Sequence, residues 1–433
     1  MPRRHRSARG LLRTVLALVG LAMAALLTAG ANASPQLIGL EIGNLGGTTS
    51  GASAVNNSGQ VVGAADTKKN TRHAFLWSRG KMRDLGTLGR SRGLDSIAYG
   101  INRSGQVVGR SDLKNFDFHA FVWSKGKMRD LETLAPKDED SGAYGINDSG
   151  QVVGWSDVDE PSGDLGTHAV LWSAGTLTDL GTFVGTGDLS SEANDINNSG
   201  QVVGWSDISG GEHAHAFLWS SGTMTDLGTS PLIDSSAVAI NDSGQVVGSS
   251  WSITSSGGRT RRVDHAFLWS DGTMRNLGTL GGKSSDAADI NDSGEVVGAS
   301  QTRSGRWHAF LWTRGKMIDL GTLGAHDSGA AGVNASGDVV GAIGLDAKGY
   351  HRHAVLWTGA KKAGKTTVPS LRGMTLTDAH DAIARAEGTL GRLHRAFSSQ
   401  VKAGGVISQS PRAGTKVRWG TKIDLVISRG ATR

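Results

Sequence analysis

The 433-residue chain contains no cysteine. That excludes disulfides, thiolate metal sites, a cysteine nucleophile and a lipid-modified cysteine anchor. Proline is scarce, at 7 residues, while glycine reaches 64 without a strict period. Collagen is thereby excluded, and the glycines read as tight turns. Charged residues make up only 19% and hydrophobic residues 38%, a balance that can build a core. Positive charge is missing from the middle: no Lys or Arg lies between Lys137 and Arg259, a stretch with 17 acids. The net charge of +6 hides this, because residues 1–33 hold five arginines and no acid, and 361–433 hold 14 Lys/Arg against four acids. Residues 34–360 therefore carry −9. A main domain of that sign repels phosphates, which excludes nucleic acid as its partner. The basic C-terminal region suits an anionic surface such as a cell wall, or is simply a solvated basic face.

Residues 1–33 have the three parts of a secretory signal peptide: Arg3, Arg4, Arg6, Arg9 and Arg13, then an uncharged run from Thr14 to Ala29, then Ala31-Asn32-Ala33 as a cleavage site. The expectation is an exported protein, extracellular or wall-associated, with no membrane segment after cleavage. A retained anchor is the alternative, since the run nearly suffices to span.

One pattern recurs seven times: A-x-x-I-N-x-S-G-Q-V-V-G, a variable gap, then H-A-F-L-W-S-x-G-x-M-x-D-L-G. Its asparagines are Asn56, Asn102, Asn147, Asn197, Asn241, Asn291 and Asn334, at spacings of 46, 45, 50, 44, 50 and 43. Each copy reads as four short strands rich in β-branched and aromatic residues, separated by N-x-S-G and W-S-x-G turns. Four strands per repeat of that length predict a propeller blade. The seventh copy stops after Trp357 without a fourth strand, and an unpaired candidate, Leu40–Gly46, resembles Met274–Gly278. The prediction is a mainly β fold: a seven-bladed β-propeller over 37–359, its four-stranded blades closed by an N-terminal strand, which removes open edges. An open solenoid would need no such complementary ends. These units resemble the HAF repeats of bacterial extracellular proteins, with His-Ala-Phe at 73–75 and 119–121; His168 and His353 are followed by Ala-Val. The resemblance implies secretion and repeat architecture and assigns no catalytic residue.

Loop lengths separate the two faces of such a ring. The third-to-fourth strand spacing is fixed, whereas the count between the second-strand Gly and the third-strand His runs 9, 9, 13, 10, 16, 9 and 11. Length variation confined to one face marks a binding face. Seven of the twelve tryptophans belong to the third-strand motif and Trp419 lies near the C-terminus. The other four, Trp155, Trp205, Trp251 and Trp307, fall in the variable stretch of consecutive repeats and are the candidate binding residues, suited to stacking on sugars or on aromatic and cationic groups. Rings that plug gaps between blades are the alternative.

Several motifs imitate chemistry. Asp195 and Asp289 open Asp-Ile-Asn-x-Ser-Gly stretches like calcium loops, but position 12 is Ser206 or Ser300 rather than Glu, and the leading Asp is absent from five copies. A hairpin turn accounts for them, and for the Asn-x-Ser sequon in every copy. Recurrent His and Asp, such as His73 and Asp84, read as a strut repeated in each blade, since a catalytic triad is a single site. His213, His326 and His351 are too scattered to predict a zinc site. With no nucleophile elbow, P-loop or dinucleotide fingerprint, no catalytic residue, metal or cofactor is expected, and the protein is not expected to be an enzyme. A polysaccharide lyase or glycosidase is the rival class, with Asp157, Asp159, Asp207 and Glu212 its one candidate cluster.

Residues 360–365 read as a basic linker. Beyond it Leu376, Ala379, Ile383 and Ala386 share one helical face after a capping Thr375 or Thr377, and strands follow near Val406–Gln409 and Ile423–Ser428. This small α+β unit, 366–431, resembles a PASTA domain through Val368-Pro369, Gly373-Met374, Val406 to Pro411, Gly414 and Val426 to Gly430. That resemblance implies association with peptidoglycan or a spacer role. The combined expectation is a secreted cell-envelope scaffold: a propeller that binds a glycan or protein, and a C-terminal module that associates with peptidoglycan. A structural spacer without a ligand is a further alternative.

Overall fold

The computed structural model describes residues 37–431, apart from 90–92, 115–116, 136–138, 160–164, 185–188, 209–212, 230–233, 257–258, 347–350, 360–364, 387–388 and 419–420. The signal-like stretch, nearly all of the linker, Glu212 and Trp419 lie outside the described residues. Seven four-stranded sheets form the ring. Blade 1 runs Gly46–Val55, Val61–Thr67, Arg72–Ser78 and Lys81–Asp84, each strand antiparallel to the next. The order repeats in blades 2 to 6, over 96–130, 141–181, 191–228, 234–276 and 281–321. Blade 7 takes Asp327–Val333, Val339–Gly344 and Arg352–Gly359 from one end of the ring and β1, Leu37–Glu41, from the other. The predicted closure is therefore present, in a different register. Ile42 N donates to Ala354 O as Leu85 N does to Ala74 O and Leu277 N to Ala266 O, so Glu41 stands where Asp84 and Asn276 stand. The Asn44-Leu45-Gly46 match instead belongs with Thr279-Leu280-Gly281: Leu45 and Leu280 make the same isolated bridge, and Gly46 and Gly281 share φ near 101° and 102°.

Packing explains the sequence of the second strand. Val61 and Val62 are both fully buried, although adjacent strand residues point to opposite faces, because each faces a different neighbouring blade. The core is thus a series of inter-blade layers, such as Val62, Ala74 and Leu85 of blade 1 against Ala98, Val107, Phe121 and Trp123 of blade 2. The glycine that ends Gln-Val-Val-Gly is required by close approach: a Cβ on Gly63 would lie 2.0 Å from Gly51 O, and one on Gly154 1.9 Å from Gly142 O. The third-to-fourth turns have φ above zero at both central residues, as at Arg79 (51°) and Gly80 (77°), the mirror-image geometry that matches strand twist.

The variable gap is largely strand. Blade 5 extends its central hairpin through Val246–Ser256 and Arg259–Ser270, so the insertions lengthen a ribbon rather than add a free loop.

The C-terminal module holds α1 (Leu376–Arg385) against a three-stranded sheet, around a core of Val368, Leu371, Ala379, Ile383, Val406 and Leu425. Asp378 N bonds to Thr375 Oγ1, which itself donates to Asp378 Oδ2, so Thr375 is the cap. Sequence pattern misses the short antiparallel pair Lys365–Thr367 and Lys416–Arg418, and the longer strand Thr389–Ala396, which lies parallel to Lys422–Ser428. From Arg392 to Ala396 every residue is exposed, Leu393 included, so no alternation of burial marks the longer strand.

Candidate ligand-binding site

The ring has two unlike ends. At one, the seven turn asparagines form a closed circle. Asn56 Nδ2 donates to Asn102 O at 3.0 Å, the same bond runs on through Asn147, Asn197, Asn241 and Asn291 to Asn334, and Asn334 Nδ2 returns to Asn56 O at 3.1 Å. Each carbonyl of these side chains also accepts from its own turn, as Asn197 Oδ1 does from Ser199 N and Gln201 N. Buried and satisfied in this way, they are structural, which supports the hairpin reading. Asp195 and Asp289 extend it: each carboxylate accepts from the next residue's N–H and from one blade farther on, Ile240 N for Asp195 and Val333 N for Asp289. Burial pushes Asp195 up to about 6 and Asp289 up to about 7, against the lowering effect of those bonds.

The other end carries a cavity of about 550 Å³, lined by blades 6, 7, 1 and 2. Its origin is a register argument. The inner strand of every blade has a bulge at one residue, and a bulge re-aims a side chain. Ser53 and Ala331, the bulge residues of blades 1 and 7, line the cavity, whereas blades 2 and 3 have Tyr99 and Tyr144 there. One step after the second-strand glycine, Ala299, Ala342 and Ala64 line the cavity, and the matching residues of blades 2 to 4 are Arg110, Trp155 and Trp205. Small residues on one side of the ring and large ones on the other place the hollow off centre.

Its charged groups are Arg72, Arg352, Asp286, Asp327 and Asp346, and its aromatic group is Trp307. Trp307 is half-buried, and its backbone N–H donates to Asp327 Oδ1 at 3.1 Å, while His326 Nδ1 meets Asp327 Oδ2. Asp286 accepts from Ser249 Oγ at 3.0 Å; burial and the neighbouring Asp264 raise its pKa. Asp346 pairs with His351 at 2.6 Å.

Of the four predicted tryptophans, Trp307 alone lines this cavity. Trp155 donates from Nε1 to Tyr144 Oη at 3.1 Å and packs edge-on against Phe118 of blade 2, with centroids 5.8 Å apart. Burial, and then the charge of Glu192, push Tyr144 up to about 12. Trp205 is half-buried, and its indole bonds to Glu192, which burial raises. Trp251 lies under the Arg262 guanidinium, 4.2 Å from the ring centroid. The structure therefore does not gather the four rings into one platform. Sequence reading missed Arg72, Arg352, Asp286 and the tyrosine pair, although one signal was present: two of only three tyrosines fall at the same repeat position.

The acidic candidates are also distributed. Asp157 and Asp207 hold equivalent places on blades 3 and 4, where each accepts a backbone N–H from the entering strand, Asp140 N and Ser190 N. Asp159 is exposed at the end of its strand. The His–Asp struts are real, at 2.9 Å for His73–Asp84 and 2.8 Å for His119–Asp130, and similar on blades 3, 4 and 6.

Comparison with known proteins fits this division of the chain. A family model for the PASTA domain matches residues 366–429. A probable serine/threonine-protein kinase of Clostridium acetobutylicum is 42% identical over 64 residues, which are 15% of this chain and 10% of the kinase. The chain thus spans about a tenth of that relative's length. Among solved structures, a lectin mutant of Aleuria aurantia in complex with α-methyl-L-fucoside is similar at a TM-score of 0.33 and 12% identity, covering 65% of this chain and 98% of the lectin. A prolyl endopeptidase is similar at a TM-score of 0.46 and 10% identity, covering 88% of this chain and 61% of the peptidase. At such identities the likeness is one of fold alone. Residues 366–429 are a PASTA domain, carried behind a propeller of seven four-stranded blades.

Proposed function

We propose that the chain is an exported cell-envelope binding protein, whose propeller takes a saccharide in the off-centre cavity and whose PASTA domain associates with peptidoglycan. The cavity carries this reading. An indole face beside guanidinium and carboxylate groups suits a pyranose, which offers an apolar face to stack and a rim of hydroxyls to hydrogen-bond. The cavity carboxylates already bond to backbone, Ser or His groups, which favours binding over catalysis. For the PASTA domain, the support is an exposed patch: Leu393 and Phe397, 46% and 57% exposed, beside exposed Arg392 and Arg395, with Arg429 5.7 Å from the Phe397 ring. The arginine-led, apolar N-terminal stretch ending in Ala31-Asn32-Ala33 supports export.

Two measurements test the reading. A saccharide panel is screened for binding to the protein and to an Ala342→Trp variant that fills the cavity; a saccharide bound by the first and lost by the second is expected. Sedimentation on peptidoglycan sacculi compares the protein with a chain ending at residue 360 across a salt series. Pelleting that needs the PASTA domain and survives moderate salt is expected; pelleting abolished by modest salt means charge attraction only.

A further inference from the structure

Blade 7 departs from the strut pattern in a way that brings the PASTA domain to the ring. In blades 1 to 4 and 6 the third-strand histidine pairs with an aspartate of the fourth strand, whose carboxylate also accepts the N–H two residues on, as from Gly86, Glu132 and Gly181. In blade 7 the fourth strand is β1, and its residue is the longer Glu41. The two oxygens of Glu41 divide. Oε2 accepts from His353 Nδ1 at 2.7 Å, and Oε1 meets Nε2 of His380, on α1 of the PASTA domain, at 2.9 Å. The imidazole centroids are 4.7 Å apart. Glu41 is 6% exposed and each histidine 13%. Burial opposes ionisation of Glu41, but bonds to both histidines outweigh it and bring its pKa down to about 2.

We propose that Glu41, His353 and His380 form a binding site for a divalent transition-metal ion of the zinc type, which joins the closing blade to the PASTA domain. Their three donor atoms lie within 4.8 Å of one another, the one such set of three among the described residues. Tetrahedral zinc with bonds of about 2.0–2.1 Å places its donors about 3.3 Å apart, so the two imidazoles and the carboxylate have only to adjust from a set already within 4.8 Å. Two imidazoles and one carboxylate suit zinc, whereas calcium and magnesium prefer all-oxygen sets. Entry of the ion needs no oxidant or reductant. Each imidazole gives up the proton on its facing nitrogen, to its other ring nitrogen or to water, the freed lone pairs and one carboxylate oxygen bind the metal, and water completes the shell. Because the ligands come from β1, the third strand of blade 7 and α1, the ion binds only when the two ends of the propeller and the PASTA domain are together.

Zinc alone is titrated into the intact protein by calorimetry and by competition with a chromogenic chelator, beside Glu41→Asp and His380→Ala. The aspartate variant reproduces the strut of five other blades, so the ring is preserved while the carboxylate is drawn back from His380. The expected result is one zinc per chain, bound more than about tenfold more weakly by both variants, since losing a ligand costs at least as much as losing an outer partner. Cobalt(II) gives a tetrahedral visible spectrum with the parent protein and not with the variants. No saturable binding in the micromolar range, or one zinc bound equally well by all three proteins, overturns the proposal.

Discussion

The two ends of the propeller are built from the same repeat and under opposite constraints. At the asparagine end all seven blades use the same side chain to bond to the next blade, so a change in one disturbs two. At the cavity end the same register position holds alanine in one blade and tryptophan in another, and the blades remain alike. A position that links blades is held uniform, whereas one that faces a hollow is free to differ, and difference is what a ligand site in a repeated ring requires.

The largest effect that would sharpen this contrast is at the second-strand glycine. Gly154→Ala places a methyl against Gly142 O with no flexible side chain to yield, and a loss of about 3 kcal/mol in denaturant unfolding is expected. Next is Asn197→Ala, which strips the acceptor from Ser199 N and Gln201 N and removes the inter-blade bond to Asn241 O, leaving that carbonyl only Gly244 N, at about 2 kcal/mol. At the cavity end, Ala299→Trp copies blades 3 and 4 and should cost under about 1.5 kcal/mol, while saccharide binding is lost. If Ala299→Trp unfolds the ring as readily as Asn197→Ala, the contrast between the ends is broken.

A pH series separates the ends further. Asp195 and Asp289 have folded pKa values above their ordinary value of 3.8, so between about pH 4 and 7 the folded state binds more protons than the unfolded chain. Stability from this source is complete below pH 3.8 and falls as pH rises through about 7. Asp84, Asp130 and Asp179 are lowered despite burial, because their histidines and backbone N–H groups favour the charged form. Their contribution is present above pH 3.8 and fades below it. Maximum stability near pH 4–5 follows, read from unfolding midpoints; a curve that rises steadily to pH 8 would refute the assignment of these groups. The smallest effect is Asp84→Asn, under about 1 kcal/mol, because the strut is partly exposed and blade 5 already has Asn276 there.

Much of the fold was legible because its signals are local. Turn residues, strand composition and a period near 45 were enough to predict blades, their number and closure by an N-terminal strand. The register of that strand was less legible, because Asn44-Leu45-Gly46 imitates a fourth-strand ending and only pairing with Ala354 shows that Glu41 fills the strut position. The exposed strand Thr389–Ala396 was invisible because it buries too little to impose a pattern. The site was least legible. Tryptophan counts pointed to repeats 3 to 6, whereas the cavity is lined by blades 6, 7, 1 and 2, so Trp307 alone falls at it, and Trp155 and Trp251 use their rings against Tyr144, Phe118 and Arg262.

The sequence alone determined the repeat, the turns, the strand composition and the PASTA motif, because each depends on residues close together in the chain. Only the tertiary structure decided where Ser53, Ala331, Ala299 and Ala342 would leave a hollow, since that depends on which repeats become neighbours in a closed circle. It alone also brought Glu41 to residues 312 and 339 positions away. No local pattern encodes such a meeting, because closing the ring and docking the domain are both consequences of burying surfaces that no single repeat can cover.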